Sequence, residues 1–533
     1  MAPVEPHAVA AGSPGGYPPP AMTRWTPGPG DAVALVSVYD TENNAVRQLA
    51  AGLRARGRRV VELYFKDWRN NRFEEPNDAE IRNLVRVLRD ERVGLVGFSL
   101  RASAYEAVVR QLVGTVRAHT GLPCVVGGWH PTVRPESVIT FADAIVRGEA
   151  DETFPVFVER FFAGDPALAE SPGCWVRVGD AVRRNAPAPL VARLDAVPWR
   201  DYDHADKWSI ERHTVHRGDP MRGDPLFQVM CSIGCIQRCS FCHNSFDDGA
   251  PGARLRFRSV SSVLDELAAR RRANPHIRRV RFDDEIFGID RRWLREFAER
   301  YPTEVGLPFD FLTEPTVVSE EYAELLARAG ADWVHMGIQS TESVNRDLLS
   351  RRADRDTTLA AVARLSKRGI RIRYLTMVDI PGVTDDQRRE LFSFFASLPR
   401  PYDLYLFSLT HFPGSKMVED LLAAGALDPS EVEGTAHKTF SQYRVELSWP
   451  REPEETWWIA LYVLQSSGVV PQRLLRAVQA AGLGRTAPRP LVLAAHAATL
   501  AKTARVAGRM VRDGELTSTL VRRWWNPLSM VTM

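Results

Sequence analysis

Four cysteines crowd twelve residues of this chain: Cys231, Cys235, Cys239 and Cys242, in the run CSIGCIQRCSFCHN. Only Cys124 and Cys174 occur elsewhere in the 533 residues. Thiolates this close in sequence can converge on one metal centre without much help from the rest of a fold. The last three have the spacing C-x3-C-x2-C, with Phe241 just before the third. Three thiolates leave one iron of a 4Fe-4S cluster without a protein ligand, and an open iron can do chemistry. The competing reading is a structural zinc site with Cys231 as fourth ligand. Zinc ligands usually come as one close pair and a second, distant pair, and no second pair follows here. Cys231 itself reads as a small buried strand residue.

The elements that must hold these thiols come from a chain long enough for two to four domains. Hydrophobic residues are 44% of the sequence, enough for sizeable cores, and the formal charge of +3 gives no bulk signal for nucleic acid. Residues 1–30, rich in Pro, Gly and Ala, read as a disordered leader and lack the pattern of a secretory signal. No apolar run reaches the roughly 18 residues of a membrane span. These features point to a cytoplasmic protein with reduced thiols, in which clustered cysteines read as metal ligands before disulfides.

Residues 31–165 alternate short apolar runs with helical patterns. Strands are expected at 32–38, 60–65, 93–99 and 124–128, and helices from about 45 to 57, 78 to 90 and 103 to 119. That alternation predicts an α/β domain with a doubly wound, Rossmann-like parallel sheet, whose ligands sit beyond the carboxyl ends of the strands. Those ends carry Tyr39-Asp40-Thr41-Glu42-Asn43-Asn44, Ser99-Leu100-Arg101 and Gly127-Gly128-Trp129-His130-Pro131-Thr132. The glycine pair would let backbone approach a large ligand closely. Residues 166–220, with the turn-rich LDAVPWRDYDHADKW, read as a linker.

From 221 to 420 the alternation resumes, with strands at 226–232, 278–288 and 310–315, and further strands within 332–352, 370–384 and 404–417. Six strand–helix units imply a partial (β/α)6, TIM-like barrel with its site at the strand C-termini. The strand RRVRFDDEIFG ends in the consecutive acids Asp283, Asp284 and Glu285. Residues 421–533 read as a mainly helical region. From Thr456 to Arg512 it has no Asp or Glu and eight Lys or Arg, and Lys502, Arg505, Arg509 and Arg512 are spaced along one side of a helix. The region is read as a cap packed on the barrel with basic positions exposed, the other reading being weak membrane or lipid contact.

On these residues the chain is identified as similar to a known family. The run Cys235, Cys239, Phe241, Cys242 matches the radical SAM signature over its whole length. The segments GGWHPTVRPESVI, RGEADETFPVFVE (147–159) and NNAVRQLAAGLRARGRRV resemble the cobalamin-binding domain fused to radical SAM enzymes. The resemblance implies a 4Fe-4S cluster on Cys235, Cys239 and Cys242. It implies S-adenosylmethionine (SAM) held by Phe241, Asp283, Asp284, Glu285 and Gln339. Cobalamin would be held by Asn43, Asn44, Ser99, Gly127, Gly128, His130, Gly148 and Glu149. The chain departs from the family where Ile233, Glu314 and Gln339 replace a common Arg, Arg and Glu, and it lacks the Asp-x-His-x-x-Gly motif whose His ligates cobalt. His130 is therefore read as contacting the loop or the corrin edge. The implied activity is cobalamin-dependent radical SAM methylation of an unactivated carbon in a specialised metabolite. Electrons would come from a flavodoxin- or ferredoxin-type donor. Rearrangement or oxidative cyclisation with the same cofactors is the alternative, and a non-catalytic, metal-stabilised binding protein is the third reading.

Overall fold

In the computed structural model, residues 25, 30–67, 74–202, 205–247, 249–436 and 451–512 are described. Most of the leader thus lies outside the described residues, as do Arg522 to Trp525. Trp25, inside the stretch read as disordered, packs edge-on to Phe157 and Phe161 and donates its indole N–H to the Arg177 carbonyl.

The first sheet uses the expected strands, β1 (Ala32–Val38), β2 (Val60–Phe65), β3 (Val93–Ser99) and β4 (Cys124–Gly127). It adds β5 (Ala144–Val146) beside β4. Within it the order is 5-4-3-1-2, all parallel, which puts the topological switch point between β1 and β3. Both faces are covered, so strands such as β1 and β3 are buried at every position. Helices Asn44–Ala55 and Thr153–Ala163 pack on one face through Val46, Leu53, Phe154 and Phe157. Helices Asp78–Asp90 and Glu106–Thr120 pack on the other through Leu84, Leu88, Leu112 and Val116.

The segment 166–220 is not a linker. It supplies β6 (Cys174–Val178) and β7 (Ala181–Arg184) to one edge of this sheet, and β8 (Lys207–Glu211) and β9 (Thr214–Arg217) to the other. These strands are short, and both outer ones, β7 and β9, are polar and exposed, so their sequence resembles a loop while their pairing blunts two sheet edges.

The chain then enters the barrel. Strand β10 (Leu226–Val229) leads into a small antiparallel pair, β11 (Ser232–Ile233) and β12 (Arg256–Phe257). Next come β13 (Arg279–Phe282), β14 (Phe309–Thr313), β15 (Ala331–Gln339), β16 (Arg371–Val378) and β17 (Asp403–Ser408). Six strands, β10 and β13 to β17, form one parallel sheet in chain order, as the repeated units predict. In β16 burial alternates strictly. Ile372, Tyr374 and Val378 join the main core, and Arg371, Arg373, Leu375 and Met377 lie on the other, less buried face.

The C-terminal region is helical where described, with helices Pro453–Ser467, Gln472–Ala481 and Arg489–Arg512. The first is buried almost all round, and Trp457, Trp458 and Leu461 belong to the same core as the barrel. Trp458 donates to Asp385, and the Tyr462 hydroxyl donates to the Arg388 carbonyl. Lys502 does not share the outward side expected for it: its ammonium pairs with Asp403 of β17 at 2.6 Å.

Candidate functional site

The cysteine loop follows β10, at the C-terminal end of the barrel sheet. Asp284, just past β13, holds its foot: the carboxylate accepts the Cys231 N–H at 3.1 Å and the Ser232 hydroxyl. The Cys231 side chain is 2% exposed and packs in the barrel core, away from the other three. Cys235, Cys239 and Cys242 face one another closely enough that a charge on any one disfavours charge on another. Burial pushes Cys235 up to about 11, opposed by the Gln237 N–H and reinforced by Glu285 and by the two neighbouring cysteines. Burial, then Glu285, pushes Cys242 up to about 11 as well. Burial also raises Cys239, against the pull of Arg351.

Three thiols crowded together and half-desolvated are poor anions on their own. They become good ligands once a cationic centre replaces their protons. The donor set therefore fits an iron–sulfur cluster.

Around the trio, Arg351 donates to the Cys239 sulfur at 3.4 Å and to the Gly337 carbonyl at 2.9 Å, and it lies 3.8 Å from Glu314. The segment that carries it is tied to the loop by bonds from Ser240 to the carbonyls of Leu348 and Leu349. Arg351 was not among the residues singled out from sequence. It comes from a turn after helix Glu342–Asp347, and nothing in the local sequence marks it. The guanidinium stands beside Glu314, the residue that ends the β14 exit.

The residues expected to face SAM divide into two groups. Asp283 lies on the less buried side of β13, and burial, opposed by Arg281 and Arg200, raises its carboxyl to about 6. Glu285 stands 3.6 Å from His243, beside the thiols. Gln339 ends β15 at φ 57, a left-handed turn that few non-glycine residues adopt. Its amide folds over Gly337, where a Cβ would come within 2.9 Å of it. Phe241 packs against the small apolar cluster of Val344, Leu349, Ile380, Leu409 and Met417. Asp284 differs from these because its oxygens are engaged by Cys231 and Ser232, which makes it a support for the loop.

The first sheet meets this loop across a cavity of about 390 Å³. From the sheet come Asn44, Ser99, Gly127, Gly128, Gly148 and Glu149, over an apolar base that includes Leu35, Leu49 and Phe154. From the barrel side come Met230, Ser232, Ile233 and Arg258. The cavity opens at the switch point between β1 and β3, an apolar hollow with a few polar groups, as small-molecule sites are. Its lining residues would hold a portion of a cofactor as large as cobalamin.

Three residues expected to hold cobalamin have other partners. His130 does not line the cavity. Its Nδ1 is 2.7 Å from the Ser103 hydroxyl and its Nε2 is 2.9 Å from Glu106. Asn43 also lies outside the lining. It caps helix Asn44–Ala55 by accepting the Val46 N–H, and its amide donates to Ser37 and Ser99. Glu149 reaches the cavity, but its carboxylate is held by the Arg256 guanidinium and the Val191 N–H, so it docks the sheet domain on β12. Of the glycine pair, Gly127 borders open cavity. Gly128, at φ 115, is required by protein backbone, since a Cβ there would lie 2.7 Å from the Leu100 carbonyl oxygen. Trp129, next along, packs edge-on to His243 and Phe246, so the β4 exit touches the end of the cysteine loop directly.

Fold and site define a half-barrel protein with a three-thiol loop at its mouth, closed by a ligand-binding parallel sheet. Residues 229–395 match the radical SAM superfamily and residues 30–158 match the B12 binding domain. The chain thus carries a B12-binding domain ahead of a radical SAM domain. It is 24% identical over 359 residues to an uncharacterised methyltransferase of Pyrococcus horikoshii, covering 66% of this chain and 74% of that protein. It is 22% identical to cytidylyl-2-hydroxyethylphosphonate methyltransferase of Streptomyces wedmorensis, covering 66% and 70%. Two solved structures share the fold. One is the radical S-adenosylmethionine methyltransferase TsrM of Kitasatospora setae with cobalamin and a 4Fe-4S cluster bound (TM-score 0.58, 16% identity, 88% of this chain and 99% of that one). The other is the cobalamin-dependent S-adenosylmethionine radical enzyme OxsB (TM-score 0.61, 15% identity, 92% and 76%). Among the described residues no helix is long and apolar enough to cross a membrane.

Proposed function

We propose that this chain is a cobalamin-dependent radical SAM methyltransferase acting on an unactivated carbon of a small molecule. The observation that carries the reading is the shared cavity. Ser232 and Ile233, at the foot of the cysteine loop, line the same space as Ser99, Gly127 and Gly148 at the sheet's strand ends. Two cofactor domains thus open toward each other. The names of the related proteins support methyl transfer: besides the two above, the chain is 27% identical over 209 residues to the tryptophan 2-C-methyltransferase of Streptomyces laurentii, covering 34% of each.

When bound, the cluster and SAM supply a carbon radical and cobalamin supplies the methyl group. The protein's own part is placement and exclusion of water. Cys235, Cys239 and Cys242 are the proposed cluster ligands, and Phe241, Asp283, Glu285 and Gln339 the groups facing SAM. Asn44, Ser99, Gly127 and Gly148 would take cobalamin. A flavodoxin- or ferredoxin-type protein would deliver the electron. Rearrangement with the same cofactors is the second reading, because the likeness to OxsB, a cobalamin-dependent S-adenosylmethionine radical enzyme, is as close in fold as the TsrM likeness.

The test is anaerobic reconstitution with iron, sulfide, cobalamin, SAM and reductant. It is expected to give 5′-deoxyadenosine and, with the right substrate, a product heavier by one CH2. Alanine at Cys235, Cys239 or Cys242 is expected to abolish cluster absorbance and SAM cleavage, and Cys231→Ala to keep both. Loss of the cluster in Cys231→Ala would overturn the ligand assignment. A product of altered skeleton without added mass would select the second reading.

A further inference from the structure

Six of the ten large hydrophobic side chains most exposed among the described residues lie between 469 and 511: Val469, Leu474, Leu483, Leu493, Leu500 and Val511. The same stretch is the one without a single acid. Arg473, Arg476, Arg489, Arg505 and Arg512 are all exposed in it. Neither cofactor site uses it.

The long helix Arg489–Arg512 arranges these groups by side. Counting about 100° per residue, Leu500 and Val511 fall within roughly 20° of Leu493, so three exposed apolar residues form one stripe. They are 69% (Leu493), 47% (Leu500) and 61% (Val511) exposed. Arg489 lies near the stripe, and Arg505 and Arg512 flank it about a quarter-turn or a little more away. The opposite side packs on the protein through Ala495 and Ala498 and through the Lys502–Asp403 pair. An apolar stripe flanked by guanidiniums, with the other face anchored, is the pattern of a helix that lies in a membrane interface.

We infer that the helices at 472–512 form a peripheral docking surface for an anionic lipid bilayer. The charge is complementary to acidic headgroups, and each exposed Lys or Arg near such a surface strengthens the attachment. A second copy of the chain is a poor occupant, because a two-fold contact would set this acid-free face against itself. A lipid surface also needs no shape match to leucines that protrude singly from two helices and the turn between them. The contact stays on the surface, since no described helix can cross a membrane. The inference is independent of the reaction proposed above.

The full-length protein would be sedimented with vesicles of phosphatidylcholine alone and of phosphatidylcholine with phosphatidylserine, at low and high salt. Binding only to the phosphatidylserine vesicles, released by salt, is expected. The pair Arg505→Glu and Arg512→Glu should weaken it about tenfold or more, and Leu493→Ser with Leu500→Ser should weaken it at unchanged salt dependence. All four sites are exposed, so melting temperature and cobalamin content should stay at wild-type values and report intact folding. Equal pelleting with both lipids, no pelleting, or variants that bind as wild type would overturn the inference. Retention by an acidic protein with no vesicle binding would overturn it as well.

Discussion

The Asp284 carboxylate is 1% exposed and bonds the Cys231 amide and the Ser232 hydroxyl. Burial raises its pKa to about 6, against those bonds, which favour the charged form. Between about pH 4 and pH 6 the folded protein keeps a proton that the unfolded chain has released, so stability from this group is highest below that window and falls as pH rises through it. Asp284→Asn keeps an acceptor oxygen and carries no charge. Its stability relative to wild type is expected to improve from pH 4 to pH 7, by up to about 3 kcal/mol, in parallel urea titrations. A gap that does not change with pH would show that the group stays ionised throughout. The direction of this side chain was legible in part. The strict alternation along RVRFDD sets Arg279, Arg281 and Asp283 on one side and Val280, Phe282 and Asp284 on the other. The thiol trio was legible because its partners are local in sequence. Arg351 was not, because what makes it important is contact with Cys239, 112 residues away.

At the scale of elements, the exit of β4 separates two glycines that look alike in sequence. Gly128 adopts φ 115 against the Leu100 carbonyl, whereas a Cβ on Gly127 would meet only Val146, at 3.8 Å. Gly128→Ala should cost stability by about 1 to 3 kcal/mol. Gly127→Ala should leave unfolding nearly unchanged and weaken cobalamin binding, read by the absorbance of retained cofactor. Equal effects in both assays would mean that the two positions share one role. Apolar runs bounded by turns made β1 to β4 easy to place, since each is buried along its length. Strands β6 to β9 escaped because edge strands need less apolar sequence, and their partners lie far away in the chain. His130 escaped for a related reason: the motif around it is local, but Glu106, which begins the preceding helix, and Ser103, in the turn before that helix, hold it.

At the scale of the whole molecule, the two domains are fastened beside the cavity by Glu149 and Arg256. The guanidinium is 7% exposed, and it also donates to the Val191 carbonyl. Removing one partner of such a pair leaves the other charge without compensation, a loss of about 3 to 5 kcal/mol. Arg256→Met is therefore expected to lower the melting temperature and to speed release of cobalamin, while purified protein still takes up iron on its three thiols. Unchanged cobalamin release would place the fastening elsewhere, for example on Trp129. Each domain's fold could be read from its own periodicity, but their docking could not, because Glu149 and Arg256 sit in unrelated stretches of sequence. The same wrapping sets a schedule during synthesis. Strand β2 ends at Phe65, and its outer neighbour β8 begins at Lys207. At roughly 5 to 20 residues per second, the ribosome leaves that fully buried strand with a bare edge for about 7 to 30 seconds. The interval is long enough for a chaperone, or another nascent chain, to reach it first.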